Sequence, residues 1–450
     1  MYPDRERLAA LTAAEAEAFA AARPRSRSEW ERASKHLPGG VPMLWMRKWP
    51  GPWPVYVASG WGSHFLCVDG IDHVDLCLGD TGAMSGHAPA AAVAAIAAQL
   101  EHGSTFMLPT RRAAQAGELL AERFGLPEWQ FTLSATDANR TLIRYARHVT
   151  GRPKILIHDF SYHGTVDETF ASLDGAGAVV ARRGSIGAPV PVAETTAVVQ
   201  YNDVAGLEQA LATGEIAAVL IEPVMTNIGI VLPEPGYLEA VRALSTRYGA
   251  ILIHDETRTL SAGPGGYTAA HGLEPDAIVL GKTIAGGVPA GAFGMSTELG
   301  DRVRRSVHLE DIDVGGVGGT LAGNALSIAG IVATLGEVLV PQAWQPMIAR
   351  ATQWTEGVAA VIAEHGVPWQ VTQLGSRAEY SFRPTAPRDG AEAAAADDFA
   401  LQQYLHLHAL NRGILMTPFH NMALMSPATT ADDVERHTSH FREAVASLFP

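Results

Sequence analysis

Three polar side chains follow apolar stretches that look like buried strands, and together they suit one kind of chemistry. They are Glu222, Asp255 and Lys282. Because ligands of parallel sheets bind in the crevice outside the carboxyl ends of the strands, we expect the three side chains to share a site. Each one alone is open to interpretation as a solvated loop residue, whereas two acids and a lysine together favour a reactive site.

Lysine is scarce in this chain, which narrows the choice of an amine nucleophile. The 33 lysines and arginines include only four lysines, Lys35, Lys48, Lys154 and Lys282. An amine at a buried strand end is costly to keep charged, so we expect Lys282 to supply the neutral amine that attacks an aldehyde. Asp255 then suits a second task, because a carboxylate can hold a pyridine nitrogen protonated and make the ring an electron sink.

The stretch His254, Asp255 and Glu256 also permits a metal-hydrolase hypothesis, since all three side chains can bind a metal ion. Consecutive residues of a strand point to opposite faces of the sheet, however. The three side chains therefore cannot converge on one ion, and we expect no metal here.

Two stretches of small residues offer hydrogen-bond donors to an anion. Ser134, Ala135 and Thr136 lie between a predicted strand and a predicted helix, where backbone N–H groups and hydroxyls can bind a phosphate. A serine cap followed by an acidic first turn is the other interpretation of the same residues. The glycine-rich stretch 315–319 leads to Thr320, which is either a second oxyanion donor or part of a flexible connection.

The elements that must position these residues alternate between strand and helix from about residue 79 onwards. Continuous apolar runs at 250–253 and 277–280 are typical of strands buried on both faces. Helices are predicted at 137–149 and 237–248. The predicted fold class is therefore α/β, with a mainly parallel sheet between helices.

The segments on either side of this pattern predict a smaller α+β lobe. The first 30 residues favour one helix, residues 65–76 a hairpin, and residues 325–335 another helix. The predicted division is an N-terminal segment at 1–75, a large domain at 76–325 and a small C-terminal domain at 326–450.

The charge of the chain argues against two classes of partner. A formal net charge of -14 and a pI near 5.6 are unsuited to nucleic acid and to anionic membranes, which select basic surfaces. The apolar stretches are too short for a bilayer and the first residues lack a signal pattern, so we expect a cytoplasmic location. Cys67 and Cys77 permit a disulfide, but thiols are the expected state.

A series of short motifs follows one another along the chain. They are Leu-Pro-Gly-Gly-Val at 37–41, Ser-Ala-Thr-Asp-Ala at 134–138, Tyr-His-Gly at 162–164, Glu-Pro at 222–223, Asp-Glu at 255–256, Lys282 with Gly-Gly-Val-Pro-Ala-Gly at 286–291, and Gly-Thr-Leu-Ala-Gly-Asn at 319–324. Together they resemble the class III aminotransferases, which depend on pyridoxal phosphate and have fold type I, and within them the glutamate-1-semialdehyde aminomutase branch. The resemblance extends from about residue 30 to the end.

The resemblance implies a seven-stranded type of sheet and a role for each matching residue. Lys282 is expected to hold pyridoxal phosphate as a Schiff base and to move the proton, and Asp255 to pair with the pyridine nitrogen. Tyr162 is expected to stack on the ring. His163 and Thr257 are expected among the other cofactor-binding residues, although Thr257 stands where the family usually has valine.

The same resemblance implies a phosphate site and a dimer. Ser134, Ala135 and Thr136 are expected to bind the phosphate, and Glu222 to lie on the ring-hydroxyl side or to hold a substrate-contacting residue. Thr320 is expected to reach the phosphate of a neighbouring subunit, which implies a homodimer with shared active sites.

The predicted substrate side departs further from the aminomutase pattern. An apolar stretch that includes Met43 and Trp45 follows Pro-Gly-Gly, which favours hydrophobic amine donors, while a buried dimer interface is the other interpretation. Arg258 and Arg377 are candidates for binding the carboxylate of a keto acid acceptor.

The resulting hypothesis is an aminotransferase that moves an amino group from an amine or amino acid to a keto acid or aldehyde. An aminomutase, which returns the amino group to an adjacent carbon, shares these motifs and stays an alternative. A non-catalytic binding protein of the same fold is a third hypothesis, against which Lys282 and Asp255 argue.

Overall fold

A computed structural model describes residues 3–187, 190–308, 310 and 315–449. The chain divides into two compact units. The terminal unit comprises Met1–Pro89, Gln342–Ala386 and Ala396–Pro450, and the central unit comprises Ala90–Pro341 and Pro387–Ala395. The domain boundaries near residues 75 and 325 stay predictions.

The described residues form strands and helices with the following bounds. The strands, numbered in chain order, are β1 Val57–Trp61, β2 His64–Cys67, β3 Asp72–Asp75, β4 Glu128–Thr132, β5 Lys154–His158, β6 Ala171–Leu173, β7 Val179–Ala181, β8 Thr196–Val199, β9 Ile216–Ile221, β10 Ile251–Asp255, β11 Ala277–Leu280, β12 Gly291–Met295, β13 Gln370–Leu374, β14 Arg377–Ser381, β15 Ile414–Leu415 and β16 Met422–Leu424. The α-helices are Arg5–Ala22, Pro24–Ala33, Ala90–Glu101, Arg111–Phe124, Ala135–Thr150, Val192–Thr195, Val204–Leu211, Tyr237–Tyr248, Gly266–Ala270, Thr297–Ser306, Ala325–Ala333, Pro341–His365, Gly390–Ala394, Phe399–Asn411 and Ala431–Leu448.

The central unit is built on a seven-stranded sheet with the order β4-β12-β11-β10-β9-β5-β8. Strands β11, β10, β9, β5 and β8 pair in parallel, and only β12 runs against its neighbours β11 and β4. Every residue of β9, β10, β11 and β12 is buried, which explains their continuous apolar runs, because such strands are covered on both faces. The predicted α/β class with a mainly parallel sheet is confirmed.

The helix Ala135–Thr150 packs its apolar side on this sheet. Ala138, Leu142 and Ala146 recur at helical spacing and lie in the same core cluster as Phe293 of β12. The helix begins two residues earlier than its apolar pattern predicts, because Ser134 caps it by accepting a hydrogen bond from the backbone of Asp137.

The terminal unit holds the sheets β1-β2-β3-β15 and β13-β14-β16. The predicted hairpin at 65–76 is confirmed, since β2 and β3 pair antiparallel. The predicted single helix over the first 30 residues is wrong, because the chain breaks at Arg23 between two helices. The ring of Pro24 disfavours helical geometry at the residue before it, while proline is well suited to the first helical position.

A second helix in the sequence prediction also has different bounds. The helix predicted at 325–335 ends as an α-helix at Ala333 and continues as a π-helical turn over Thr334–Val338.

In the part of the chain that the structure describes, no single helix is long and apolar enough to cross a membrane, and one bent pair of helices meets the criterion by length and composition alone. The same described residues contain no group of three or more histidine, cysteine, aspartate or glutamate side chains able to hold a metal ion. Cys67 and Cys77 are buried free thiols.

Buried histidines predict an acid-labile terminal unit. His437 stacks on Phe441, with ring centroids 5.8 Å apart, and lies beside Trp354. Burial lowers the pKa of His437 to about 3, below the value of about 6.5 for an unfolded chain. The buried, neutral ring of His437 therefore contributes its full stabilisation above pH 6.5. That contribution is lost as the pH falls toward 3, because the unfolded chain binds a proton that the folded chain does not.

We predict that His437→Phe removes about 1.4 kcal/mol per pH unit from the slope of unfolding free energy against pH between 6 and 4. Denaturant titrations at several pH values measure that slope. An unchanged slope in the His437 variant would contradict the prediction.

Candidate active site

The carboxyl ends of β9, β10 and β11 lie side by side, and each leads to one of the predicted polar residues. Ile221 pairs with His254, so Glu222 and Asp255 follow at matching positions. Asp255 in turn pairs with Val279, and Lys282 follows β11 by two residues. The three sequence-predicted residues therefore come from neighbouring strand ends at one edge of the sheet.

Asp255 is almost fully buried, and its carboxylate accepts four hydrogen bonds. Oδ2 accepts from Nδ2 of Asn139 at 2.9 Å and from Nδ1 of His163 at 3.0 Å. Oδ1 accepts from the backbone N–H of Thr257 at 3.1 Å and from its hydroxyl at 2.5 Å. Burial alone raises the pKa of Asp255, but the bonds from His163, Thr257 and Asn139 outweigh it, so the pKa lies below its usual range.

The two residues beside Asp255 point to the other face of the sheet. His254 contacts the hydroxyl of Thr268 at 2.8 Å. Glu256 accepts hydrogen bonds from the backbone of Thr268 and from Thr259, and burial raises the pKa of its carboxyl. His254 and Glu256 thus both contact Thr268, whereas Asp255 has other partners, as the alternation of side chains along a strand predicts.

Tyr162 is held between an acid and a guanidinium. Its backbone N–H donates to Oε1 of Glu222 at 3.1 Å, and the other oxygen of that carboxylate accepts from the backbone and hydroxyl of Thr226. The guanidinium carbon of Arg258 lies 5.1 Å from the centre of the Tyr162 ring. Glu222 therefore fixes the backbone of Tyr162, and the buried Arg258 lies against its ring.

The predicted phosphate-binding residues form the start of the helix Ala135–Thr150. The hydroxyl of Ser134 caps that helix and also donates to Oδ2 of Asp137 at 2.9 Å. Thr136 accepts a hydrogen bond from the backbone of Thr165 at 3.2 Å. The cap interpretation of Ser134 is thus present in the structure, with Ala135 and Thr136 in the first helical turn.

Glycines let this helix start approach the strand ends. A Cβ on Gly291 would lie 2.4 Å from the carbonyl of Ser134, and a Cβ on Gly281 would lie 2.9 Å from the Cβ of Ala135. Lys282, which follows, is half-buried and has a left-handed φ of 56°. A non-glycine residue in that region is strained by about 1–3 kcal/mol, and such strain is commonly found at functional sites.

Thr320 lies on an exposed loop of the central unit. The loop and the segment 105–109 line a cavity of about 550 Å³, in which Phe106, Met107 and Leu108 are prominent. Met107 and Leu108 are 82% and 75% exposed, so this apolar wall is open to solvent in the single chain.

Three predicted substrate residues belong to the terminal unit. Met43 and Trp45 are exposed, and the Trp45 ring lies 5.7 Å from that of Trp49. Arg377 is buried, and its guanidinium pairs with Asp80 at 2.8 Å. One of its terminal nitrogens, Nη1, is buried and has no hydrogen-bond partner. The charge of Arg377 is therefore already neutralised inside its own unit.

Asn139 is the residue of this site that the sequence analysis did not identify. It holds Asp255 and also donates to the backbone carbonyl of His163 at 3.1 Å. A signal for it was present in the sequence, because an amide at position 139 falls on the apolar side of the helix beside Ala138 and Leu142.

We predict that Gly291→Ala lowers the free energy of unfolding by about 1–3 kcal/mol, since the new methyl group must displace the helix start. Gly117→Ala is the matched control. Nothing lies within 4 Å of a Cβ there, and the position is inside a helix, so alanine should stabilise the protein by about 0.5–1 kcal/mol. Chemical denaturation of both variants tests the prediction, and equal stabilities would contradict it.

Comparison with known proteins agrees with this geometry. Residues 46–445 match the family model for class-III aminotransferases. The chain is 34% identical over 403 residues to glutamate-1-semialdehyde 2,1-aminomutase of Nitrosospira multiformis, covering 88% of this chain and 92% of that protein.

Solved structures give the same result. A glutamate-1-semialdehyde-aminomutase from Pseudomonas aeruginosa PAO1 is 45% identical, covers both chains fully and has a TM-score of 0.98; a lysine-to-alanine form of it is described in complex with PMP. An omega-transaminase from Sphaerobacter thermophilus is 30% identical over 95% of this chain and 99% of that chain, with a TM-score of 0.86. The chain therefore belongs to the class-III aminotransferases, the pyridoxal-phosphate-dependent enzymes of fold type I.

Proposed function

We propose that the protein is an aminotransferase that holds pyridoxal phosphate at Lys282 and moves an amino group from an amine or amino acid donor to a keto acid or aldehyde acceptor. The observation that supports this most directly is the pair of neighbouring strand ends, one ending in the buried, ionised Asp255 and the next leading to the half-buried Lys282.

The residues present fit the cofactor in three respects. A carboxylate that stays ionised in a buried place suits a protonated pyridine nitrogen, because the opposite charge offsets the cost of burial. The start of the helix Ala135–Thr150 suits a phosphate, since its first N–H groups have no partner within the helix. Nε2 of His163 is buried without a partner, which marks a polar position beside Asp255 that the protein alone leaves unsatisfied.

The chemistry that the bound cofactor supplies is the withdrawal of electrons from the carbon that carries the amino group. Asp255 supports it by holding the ring nitrogen protonated. The Nζ atom of Lys282 is proposed to take the proton from the substrate carbon and return it at the neighbouring position. Tyr162, which Glu222 and Arg258 hold from two sides, is proposed to cover one face of the ring and to exclude water there.

The phosphate end is proposed to use Ala135 and Thr136 in the first turn of the helix. Ser134 contributes by capping that helix and so fixing the direction of the N–H groups. The close approach of Gly281 to Ala135 keeps this helix start near Lys282, so the two ends of one cofactor molecule are within reach of one another.

We further propose a homodimer with shared active sites, in which Thr320 contacts the phosphate bound by the neighbouring subunit. The exposed wall of Phe106, Met107 and Leu108 beside Thr320 supports it, because a contiguous apolar surface favours burial against a partner. A cytoplasmic location is also part of the proposal.

Hydrophobic amines are the proposed donors, on the basis of the exposed apolar side chains of Met43, Leu44 and Trp45. Arg258 stays a candidate for the carboxylate of an acceptor, whereas Arg377, which is buried and paired with Asp80, suits that role less. An aminomutase is the second candidate function, and the high similarity to the Pseudomonas aeruginosa protein of that name favours it.

We predict that Lys282→Ala lowers the rate of amino transfer by about 10⁴-fold or more, since the nucleophile and the proton carrier are lost together. Borohydride treatment and peptide mapping of the unaltered protein should find the cofactor on Lys282. Lys154→Ala is the control, because Lys154 belongs to the same unit but pairs with Glu215. Substantial turnover in a folded Lys282 variant, checked by sedimentation, would refute the assignment.

We predict that a hydrophobic amine is deaminated beyond one equivalent per active site only when a keto acid or aldehyde is supplied, with one acceptor aminated for each further donor consumed. Chromatography of both products measures this ratio. Trp45→Ala should change the order of preference among donors. Conversion of glutamate-1-semialdehyde with transfer of its amino group from carbon 2 to carbon 1, without any acceptor, would instead support the aminomutase.

A further inference from the structure

The carboxylate of Asp255 has little capacity left for a fifth hydrogen bond. An ionised carboxylate offers about four lone-pair sites, and four donors already face them. Two come from Asn139 and His163 on Oδ2, and two come from Thr257 on Oδ1. A ring nitrogen that binds Asp255 must therefore compete with at least one of them.

The four donors differ in how easily they can leave. Asn139 and His163 are both 1% exposed, and the amide of Asn139 also donates to the carbonyl of His163, so each fixes the other. The backbone N–H of Thr257 is fixed by the chain. Its hydroxyl belongs to a half-buried residue and leaves by rotation about a single bond.

We propose that the Thr257 hydroxyl competes with the ring nitrogen of the cofactor for Oδ1 of Asp255, and so sets how strongly this carboxylate holds the ring. The inference rests on the proposed function. Thr257 is thus a positioning residue that acts through Asp255. The Thr257 hydroxyl is bonded to a charged carboxylate and must be displaced when the ring binds. A side chain without that hydroxyl should therefore strengthen binding of the cofactor by roughly tenfold.

Thr257→Val tests the proposal, because valine keeps the shape of threonine but lacks the hydroxyl. Thr257→Ser is the matched control that restores a hydroxyl. Both are made in a Lys282→Ala background, where pyridoxamine phosphate binds without a covalent bond. Its dissociation constant is measured by calorimetry, and thermal unfolding without ligand checks that each variant is folded.

A second ligand isolates the ring nitrogen. The deaza analogue of pyridoxamine phosphate has a carbon in place of that nitrogen and makes no bond to Asp255. We expect the valine variant to bind pyridoxamine phosphate roughly tenfold more tightly than the threonine form, the serine variant to match the threonine form within about twofold, and the gain to vanish with the analogue.

Three outcomes overturn the inference. The inference is overturned directly if the valine variant binds pyridoxamine phosphate no more tightly than the threonine form. A gain that persists with the deaza analogue also does so, since it would reflect packing rather than competition for Asp255. Failure of the threonine form itself to bind pyridoxamine phosphate refutes the proposed function, and the inference with it, whereas the first two outcomes leave the proposed function intact.

Discussion

The buried negative charge of Asp255 is the constraint on which the rest of the central unit depends. A carboxylate removed from water is costly unless donors surround it. The donors come from three separate pieces of chain: the helix that carries Asn139, the loop after β5 that carries His163, and the turn after β10 that carries Thr257. Ionised Asp255 therefore stabilises only the arrangement in which all three pieces are in place, so the same interaction that prepares the site also helps to specify the fold around it.

One helix connects the parts of the site. The helix Ala135–Thr150 places Asn139 against Asp255 one turn after its start, while the start itself packs against Gly281 and Gly291. Its position is thus fixed at two points, one polar and one steric. Because both points lie within five residues, the helix start is held at a fixed position relative to the carboxylate, which suits the proposed binding of a cofactor at both of its ends.

Much of this could be predicted from the sequence, because buried parallel strands are continuous apolar runs and their ends are marked by polar residues. Glu222, Asp255 and Lys282 were identified in this way, and the helix Tyr237–Tyr248 was predicted with its observed bounds. The hydrogen-bond partners of Asp255 could not be predicted, since they are brought together by side-chain directions across separate elements. The pairing of Arg377 with Asp80 joins residues almost 300 positions apart, and no local pattern indicates it. The break before Pro24, by contrast, could have been predicted locally, because a proline ring disfavours helical geometry at the residue before it. The prediction of one helix over the first 30 residues did not take this into account.

The comparisons identify the family but leave the reaction open, and the structure indicates why. An aminomutase and an omega-transaminase both share this architecture, with TM-scores of 0.98 and 0.86, so the fold does not determine which one the chain resembles in activity. Both reactions need an electron-withdrawing ring and a lysine that moves a proton, and the roles proposed for Asp255 and Lys282 suit either reaction equally. The difference is whether the product that has lost its amino group leaves before the amino group is returned. That choice depends on how long the product is retained, hence on the residues that contact the substrate rather than on those that hold the cofactor, so similarity in fold and cofactor site does not decide between the two reactions.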